Sequence, residues 1–232
     1  MKKVAISIGG SILSSMSVFD VEFAKGLAQV LSRHSDTRFV IATGGGRLAR
    51  EAVSAMSAVY DNKYDLDKIA IMPTRLHAMM LMSVISSVKG TEGDVHQAVP
   101  VSPDEARSAL ELKRIVVHGG FIPGMTTDSC AALSAEAMGA KLLVNVSKTN
   151  HIYDKDPKGN KDAKPLHRMT YDQLIRLAGE SDGRDPGSNF VFDLVAAKLI
   201  KRSRIKTVFV GKDPEALESV LSGRRFEGTT VE

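Results

Sequence analysis

Three short clusters of glycine and hydroxyl residues stand where a phosphate could be held. They are Gly9-Gly10-Ser11 after "VAISI", Gly44-Gly45-Gly46 after "RFVIAT", and Gly119-Gly120 with Gly124, Thr126, Thr127 and Asp128 after "RIVVH". Each joins an apolar run to a helix-like pattern. Glycine lacks a Cβ and tolerates positive φ, so backbone N–H groups can converge on a ligand. A helix beginning at such a turn adds a partly positive end, which suits an anion. A tight turn with no ligand accounts for one such loop but poorly for three.

The spacing narrows the phosphate chemistry. The P-loop pattern, glycine, four residues and then Gly-Lys-Ser/Thr, is absent from the chain. Gly44, Gly46 and Ala49 satisfy the dinucleotide pattern G-x-G-x-x-A, but residues Leu48–Asp67 read as helix and then polar chain, with no second strand ending in an acid. Arg47 and Arg50 follow the second cluster on one helix, and Lys198 lies in the basic run "AAKLIKRSR". Asp67 and Asp128 each suit a helix cap as well as a ligand contact. His77, His96, His151 and His167 are scattered without metal-ligand spacing. Cys130, the single cysteine, cannot form an internal disulfide and sits among small residues at helical spacing. Met79, Met80 and Met82 read as packing on a helix.

The elements that must position these groups alternate along the chain. Continuous apolar runs at Lys3–Ile8, Phe39–Ala42, Ile115–His118, Leu142–Val146 and Thr207–Val210 read as parallel strands covered on both faces. Helical patterns occupy Leu48–Val59, Thr74–Val88, Asp128–Met138, Asp193–Ser203 and Pro214–Ser222. Ser102, Pro103 and Glu105, and again Thr170 with Gln173, spell capping boxes that open two more helices. The pattern predicts an α/β fold, a mostly parallel twisted sheet between two helix layers. Tyr153–Pro165 and Gly179–Ser188 read as surface loops. The chain has 232 residues, 43% hydrophobic and 25% charged, which suffices for one large domain core. With a net charge of +4, 5% aromatics and no Trp, a base-stacking surface for nucleic acid is not expected. No membrane span and no signal peptide are read, so the expectation is a soluble, cytoplasmic protein without nucleic-acid or membrane partners.

The segments "SIGGS", "GGGRLAR", "PTRLHAMMLM", "GGFIPGMTTD", "SKTNHIYDKDP" and "DLVAAKLI" occur in the order found in the amino acid kinase family. In detail the chain resembles that family's archaeal-type uridylate kinases, as far as the closing "EGTTVE". The resemblance implies one domain over 1–232 with a three-layer sandwich, an acceptor lobe over approximately 1–140 and an ATP-binding lobe over approximately 141–232. It also implies transfer of the ATP γ-phosphoryl group to UMP, giving UDP and ADP, with Mg²⁺ accompanying ATP. A hexamer built from dimers is implied as well. Gly10, Ser11, Gly46 and Arg50 would then line the donor phosphates, and Ser147, Tyr153 and Asp156 would contact ATP around the adenosine. Gly45, Asp67 and the loop Phe121, Ile122, Pro123, Gly124, Met125, Thr126 and Thr127 would hold UMP. Arg50 and Lys198 would be the catalytic cations, and no residue is assigned as a metal ligand. Isopentenyl phosphate and acylamino-acid kinases share the fold and stand as alternatives, as does a nucleotide-binding protein without turnover.

Two departures from the family pattern matter. Relatives with Lys-x-Gly-Gly carry a phosphate-binding lysine where this chain has Ser7, so the charge must come from Arg47, Arg50, Lys198 or metal. The usual Asp-Gly of the ATP lobe is Asn150-His151. Phosphoryl transfer relies on positioning and charge neutralisation, and an ionised phosphate acceptor needs no general base. A branched side chain at Gly45 is expected to obstruct phosphate while sparing the fold.

Overall fold

The computed structural model describes residues 1–15, 18–157, 159–180 and 192–232. The chain runs β1 (Lys2–Ile8), α1 (Gly10–Leu13), β2 (Ser14–Ser15), β3 (Val18–Phe19), α2 (Val21–Arg33), β4 (Thr37–Thr43), α3 (Gly46–Ser57), α4 (Lys63–Ser87), α5 (Pro103–Leu112) and β5 (Ile115–His118). It continues through α6 (Thr127–Ala137), β6 (Leu142–Val146), β7 (Ile152–Tyr153), β8 (Pro165–Leu166), β9 (Arg168–Met169), α7 (Tyr171–Glu180), α8 (Leu194–Arg202), β10 (Lys206–Val210), α9 (Pro214–Leu221) and β11 (Thr229–Val231).

The main sheet has the order β5-β4-β1-β6-β10-β11-β9. Strands β5, β4, β1, β6 and β10 are parallel, with Val4 beside both Phe39 and Leu142. Strand β11 reverses against β10, and β9 runs parallel to β11. The chain winds from β1 out to β5, then crosses back to β6 and β10, so the winding direction changes at β1. In open α/β sheets that change leaves a crevice at the carboxyl ends of the strands, where ligands bind.

Alternation along the strands feeds two cores. Ile6, Ile8, Ile41 and Val144 pack with Phe23 and Leu27 of α2, Leu81 and Ile85 of α4 and Leu217 of α9. Ala5, Val40, Val116 and Leu143 pack with Leu110 of α5, Ala131 and Ala135 of α6 and Ala196 and Ile200 of α8. The expected three-layer sandwich is present.

Helix starts follow their caps. Thr170 Oγ1 accepts from the Gln173 N–H while Gln173 Oε1 accepts from the Thr170 N–H, a reciprocal box. At α5 the Ser102 hydroxyl accepts from the Glu105 N–H, but Glu105 reaches back one residue further, to the Val101 N–H. The expected helix Thr74–Val88 begins at Lys63, eleven residues earlier, with Asn62 accepting from the N–H groups of Tyr64 and Asp65. Pro73 lies inside α4, where it removes one backbone hydrogen bond without ending the helix. Helix α4 is, among the described residues, the one helix long and apolar enough to cross a membrane, and Ala78, Leu81 and Ile85 bury its inner side in the core. The sequence reading also missed α2, capped by Asp20, and the short reversed strand β11. Of the expected loop Gly179–Ser188, Gly179 and Glu180 end α7 and residues 181–188 lie outside the described residues.

Candidate active site

The first two glycine clusters press directly on each other. A Cβ on Gly10 would lie 2.0 Å from the Gly46 nitrogen and 2.5 Å from the Gly44 carbonyl. A Cβ on Gly44 would lie 2.5 Å from the Gly10 nitrogen. Gly46 has φ +60, a region that favours glycine. These side chains are missing so that the β1–α1 and β4–α3 turns can touch. Gly45 faces elsewhere: a Cβ there would meet Ala49 Cβ at 2.5 Å and Thr74 Cγ2 at 3.3 Å. The expectation that Gly45→Val would spare the fold is therefore corrected, because the added methyls run into α3 and α4.

Helix α4 braces both the second and third clusters. Thr74 Oγ1 accepts from the Gly120 N–H at 2.7 Å and donates to the Ile71 carbonyl. Thr43 Oγ1 lies within hydrogen-bond distance of the Thr74 carbonyl at 2.8 Å and the His118 carbonyl at 3.2 Å. Buried His77 donates from Nδ1 to the Gly44 carbonyl at 2.7 Å. Arg75 donates to the carbonyls of Gly120 and Phe121. A Cβ on Gly119 would lie 2.4 Å from Thr74 Oγ1, so this glycine too serves close approach of loop to helix.

Asp67 is not a cap, since Asn62 holds that position in α4. Its Oδ2 instead accepts from the Gly124 N–H at 2.8 Å, at a glycine with φ +80. The structure thus gathers Gly45, Asp67 and the 121–127 loop around α4. Within that loop Phe121 turns inward and stacks on His118, with centroids 4.5 Å apart, while Ile122 is exposed. Thr126 caps α6 by accepting from the Ser129 N–H at 3.1 Å. His118 donates from Nδ1 to the Gly119 carbonyl, leaving Nε2 to accept from Ser134. Burial drives its pKa down to about 4, which keeps this one neutral tautomer.

Beside the Gly10 and Gly46 contact opens a cavity of about 390 Å³. Ser11, Ile12 and Ser14 line it, together with Arg47 and Arg50 of α3, Lys148 after β6 and Lys212 after β10. Two of these cations, Lys148 and Lys212, were missed in the sequence. Their signal was available: each follows a parallel strand at the same sheet edge. Lys198 is not brought there. It is exposed on α8, five residues past the cap Asp193 and so about 7.5 Å down the helix. A larger cavity of about 640 Å³, near Lys2, Lys3 and Lys141, opens at the opposite sheet edge, away from the glycine turns.

Between the cation-lined cavity and the third loop lies a polar knot. Asp128 accepts from the Ser7 hydroxyl at 2.7 Å and the Asn145 amide at 2.8 Å, and like Asp67 it is not a cap, since Thr126 holds that position in α6. Burial raises its pKa to about 6; the hydrogen bond from Ser7 opposes this, and the charge of Asp193 adds to it. Asp193 caps α8 through the Ala196 N–H and accepts from Ser129 Oγ. Burial pushes the Cys130 thiol up to about 11, consistent with a packing role.

The residues expected around adenosine follow β6 in chain order. Ser147 donates its N–H to the Val210 carbonyl and its hydroxyl to the Thr149 carbonyl. Tyr153 pairs with Pro165 across β7 and β8, and the Asp156 carbonyl accepts from Asn160. At Asn150-His151 the backbone does without the lost glycine: among the described residues Arg204 is the one non-glycine with positive φ. His151 is buried edge-on against His167, with centroids 4.8 Å apart.

A parallel sheet crossed at its switch point by glycine turns, with cations massed at one side, defines a phosphate-handling α/β protein. The profile of the amino acid kinase family matches residues 2–211, and the chain belongs to that family. It is 37% identical to a uridylate kinase of Archaeoglobus fulgidus over 229 residues, covering 99% of each chain. It is 38% identical to a uridylate kinase of Thermococcus kodakarensis over 235 residues, again with 99% of each covered. The crystal structure of the Archaeoglobus fulgidus uridylate kinase superposes with a TM-score of 0.85 at 34% identity, covering 100% of both chains. The UMP kinase structure from Bacillus anthracis, at 22% identity and a TM-score of 0.77, covers 100% of this chain and 96% of its own and shares the fold.

Proposed function

We propose that this chain is a UMP kinase, transferring the γ-phosphoryl group of MgATP to UMP to give UDP and ADP. The observation that carries the reading is the joining of two halves at one sheet edge: a cation-lined cavity beside the glycine turns, and a carboxylate-braced loop after β5. Full-length likeness to uridylate kinases supports the same substrates. Approximately residues 1–140 form the acceptor lobe and approximately 141–232 the ATP lobe. Gly10, Ser11, Gly46 and Arg50 receive the donor phosphates, and Ser147, Tyr153 and Asp156 the adenosine side. Gly45, Asp67 and Phe121–Thr127 receive UMP, Phe121 through its backbone. Mg²⁺ enters as part of the nucleotide. It would neutralise donor oxygens. The protein works in the cytoplasm as a hexamer.

Asp67 supplies the test. One carboxylate oxygen holds the Gly124 N–H, and the other is available in kind to accept from the ribose hydroxyls. A lost hydrogen bond to a charged group weakens binding by about 1.5–3 kcal/mol. Wild type is therefore expected to favour UMP over dUMP by roughly ten- to a hundredfold in kcat/KM, and Asp67→Ala to bring that ratio towards one. ADP release should be measured with UMP, dUMP, CMP, isopentenyl phosphate and an acylamino acid. No turnover of UMP removes the reading, and an unchanged sugar preference in the Ala variant removes Asp67 from the site.

A further inference from the structure

The position two residues before the Gly9-Gly10 turn holds Ser7 in place of a lysine, and the Ser7 hydroxyl is committed to Asp128. Another group must neutralise the donor phosphates if the proposed kinase reading, on which this inference rests, holds. The four cations of the cavity are not equivalent. Arg47 is paired with Glu51 on its own helix, where both side chains are about half exposed, and water screens such a pair. Arg50 and Lys148 are exposed and make no ion pair among the described residues. Either would have to give up rotamer freedom on meeting a nucleotide.

Lys212 is already in place. Its ammonium pairs with Asp20, both side chains being two-thirds covered, and it lies 5.7 Å from the centre of the Phe23 ring. Asp20 is itself fixed. Its N–H donates to the Leu13 carbonyl at 2.7 Å, and its carboxylate accepts from the Phe23 N–H at 2.9 Å. The hydrogen bond from Lys212 holds the Asp20 pKa below the usual carboxylate value, so the pair stays ionised. An ammonium carries three donors, and Asp20 occupies one face of it, leaving two. Sheet order sets the approach. Arg47 and Arg50 stand on the β4 side of β1, and Lys212 on the β10 side, so a polyphosphate at Ser11 is flanked from both directions.

We propose that Lys212, oriented by Asp20, is the donor-phosphate cation that makes up for the lysine absent at position 7. A UMP phosphate oxygen bonds to the γ-phosphorus as the bond to the β-phosphate oxygen breaks. The departing electron pair stays on the β-phosphate of ADP, and no proton moves. Lys212 neutralises charge on the oxygens of that displacement.

Steady-state kinetics of Lys212→Met, Lys212→Arg and Asp20→Asn test this, with melting temperatures alongside. Methionine keeps an apolar stem over Phe23 and loses the charge. The expected loss in kcat is about 10²–10³-fold, as for removal of one preorganised charge-stabilising donor, with KM for UMP unchanged. Arginine is expected to restore activity to within about tenfold of wild type, keeping the charge in a different geometry. Asn is as good an N-cap as Asp, so Asp20→Asn should melt like wild type yet lose roughly tenfold in kcat. Wild-type kcat in Lys212→Met, a loss confined to KM for ATP, or full activity in Asp20→Asn overturns the proposal. If wild type does not use UMP, the kinase reading fails on its own account. Calorimetry with a non-hydrolysable ATP analogue and with adenosine then decides Lys212 separately. The analogue should bind Lys212→Met about tenfold more weakly while adenosine binds equally, and equal analogue binding by both proteins overturns the assignment.

Discussion

Asp128 shows how a single carboxyl can work against the fold that carries it. Its pKa is raised from the usual 3.8 to about 6, so the folded chain holds a proton that the unfolded chain releases. The favourable contribution is complete below pH 3.8 and is lost as pH rises through 6. At pH 7.5 the ionised group should cost about 2 kcal/mol, the two-unit shift discounted for the solvent that still reaches a mostly covered side chain. Asp128→Asn is therefore expected to be more stable than wild type at pH 7.5, with the difference gone by pH 4. Urea denaturation of both proteins across that range checks it, and a pH-independent difference would count against the argument. The sequence marked Asp128 and Asp67 as polar residues of two possible meanings. Their partners, Ser7, Asn145 and the Gly124 N–H, come from distant strands and loops, and no local spacing encodes that. Lys148 and Lys212 went unread for a related reason. A lone lysine after a strand has no motif until sheet order places its strand beside the others.

At the scale of elements, α4 is the organiser. It meets the second glycine turn through His77 and the third through Thr74 and Arg75, so one helix fixes the spacing of two loops. Thr74→Val should leave the Gly120 N–H buried without its acceptor, a penalty of about 1–3 kcal/mol. Thr74→Ser, which keeps the oxygen, should lose less than half of that. Chemical denaturation of the two variants measures the difference, and equal losses would show that the hydroxyl bond contributes little. This helix was half legible. Its second half follows apolar periodicity, whereas Pro73 reads locally as a start, and only packing against both loops explains why the helix runs through it. Capping boxes, by contrast, are self-contained signals, and both were read correctly apart from the one-residue reach of Glu105.

For the whole molecule, five parallel strands were visible because each is a continuous apolar run buried on both faces. Strand β11, three residues with two threonines, has no such signature and forms only because β10 offers an open edge. One surface remains uncovered. Met72, Leu76 and Met79 lie exposed on one side of α4. Apolar side chains at i, i+4 and i+7 form a single stripe, and exposed stripes of this kind mark interaction surfaces. With a hexamer as the proposed assembly, light scattering should give a mass near a multiple of 25.0 kDa above one. The double variant Leu76→Glu, Met79→Glu should give a smaller species. A monomeric wild type would remove the hexamer from the proposal.

The contact between the first two glycine turns has a consequence for how such a protein can change over generations. Gly10 and Gly44 each fill the space that the other's side chain would need, so neither position can drift alone, and no single compensating substitution makes room. The cations around them are under no such reciprocal constraint, since they reach the cavity from α3 and from the turns after β6 and β10. Variation in the chemistry of the cation-lined pocket is thus channelled into Arg47, Arg50, Lys148 and Lys212, while the backbone frame they surround is held fixed by what it lacks. A chain can carry Ser7 where a lysine would stand and keep the scaffold intact, because the charge is a replaceable part and the bare backbone contact is not.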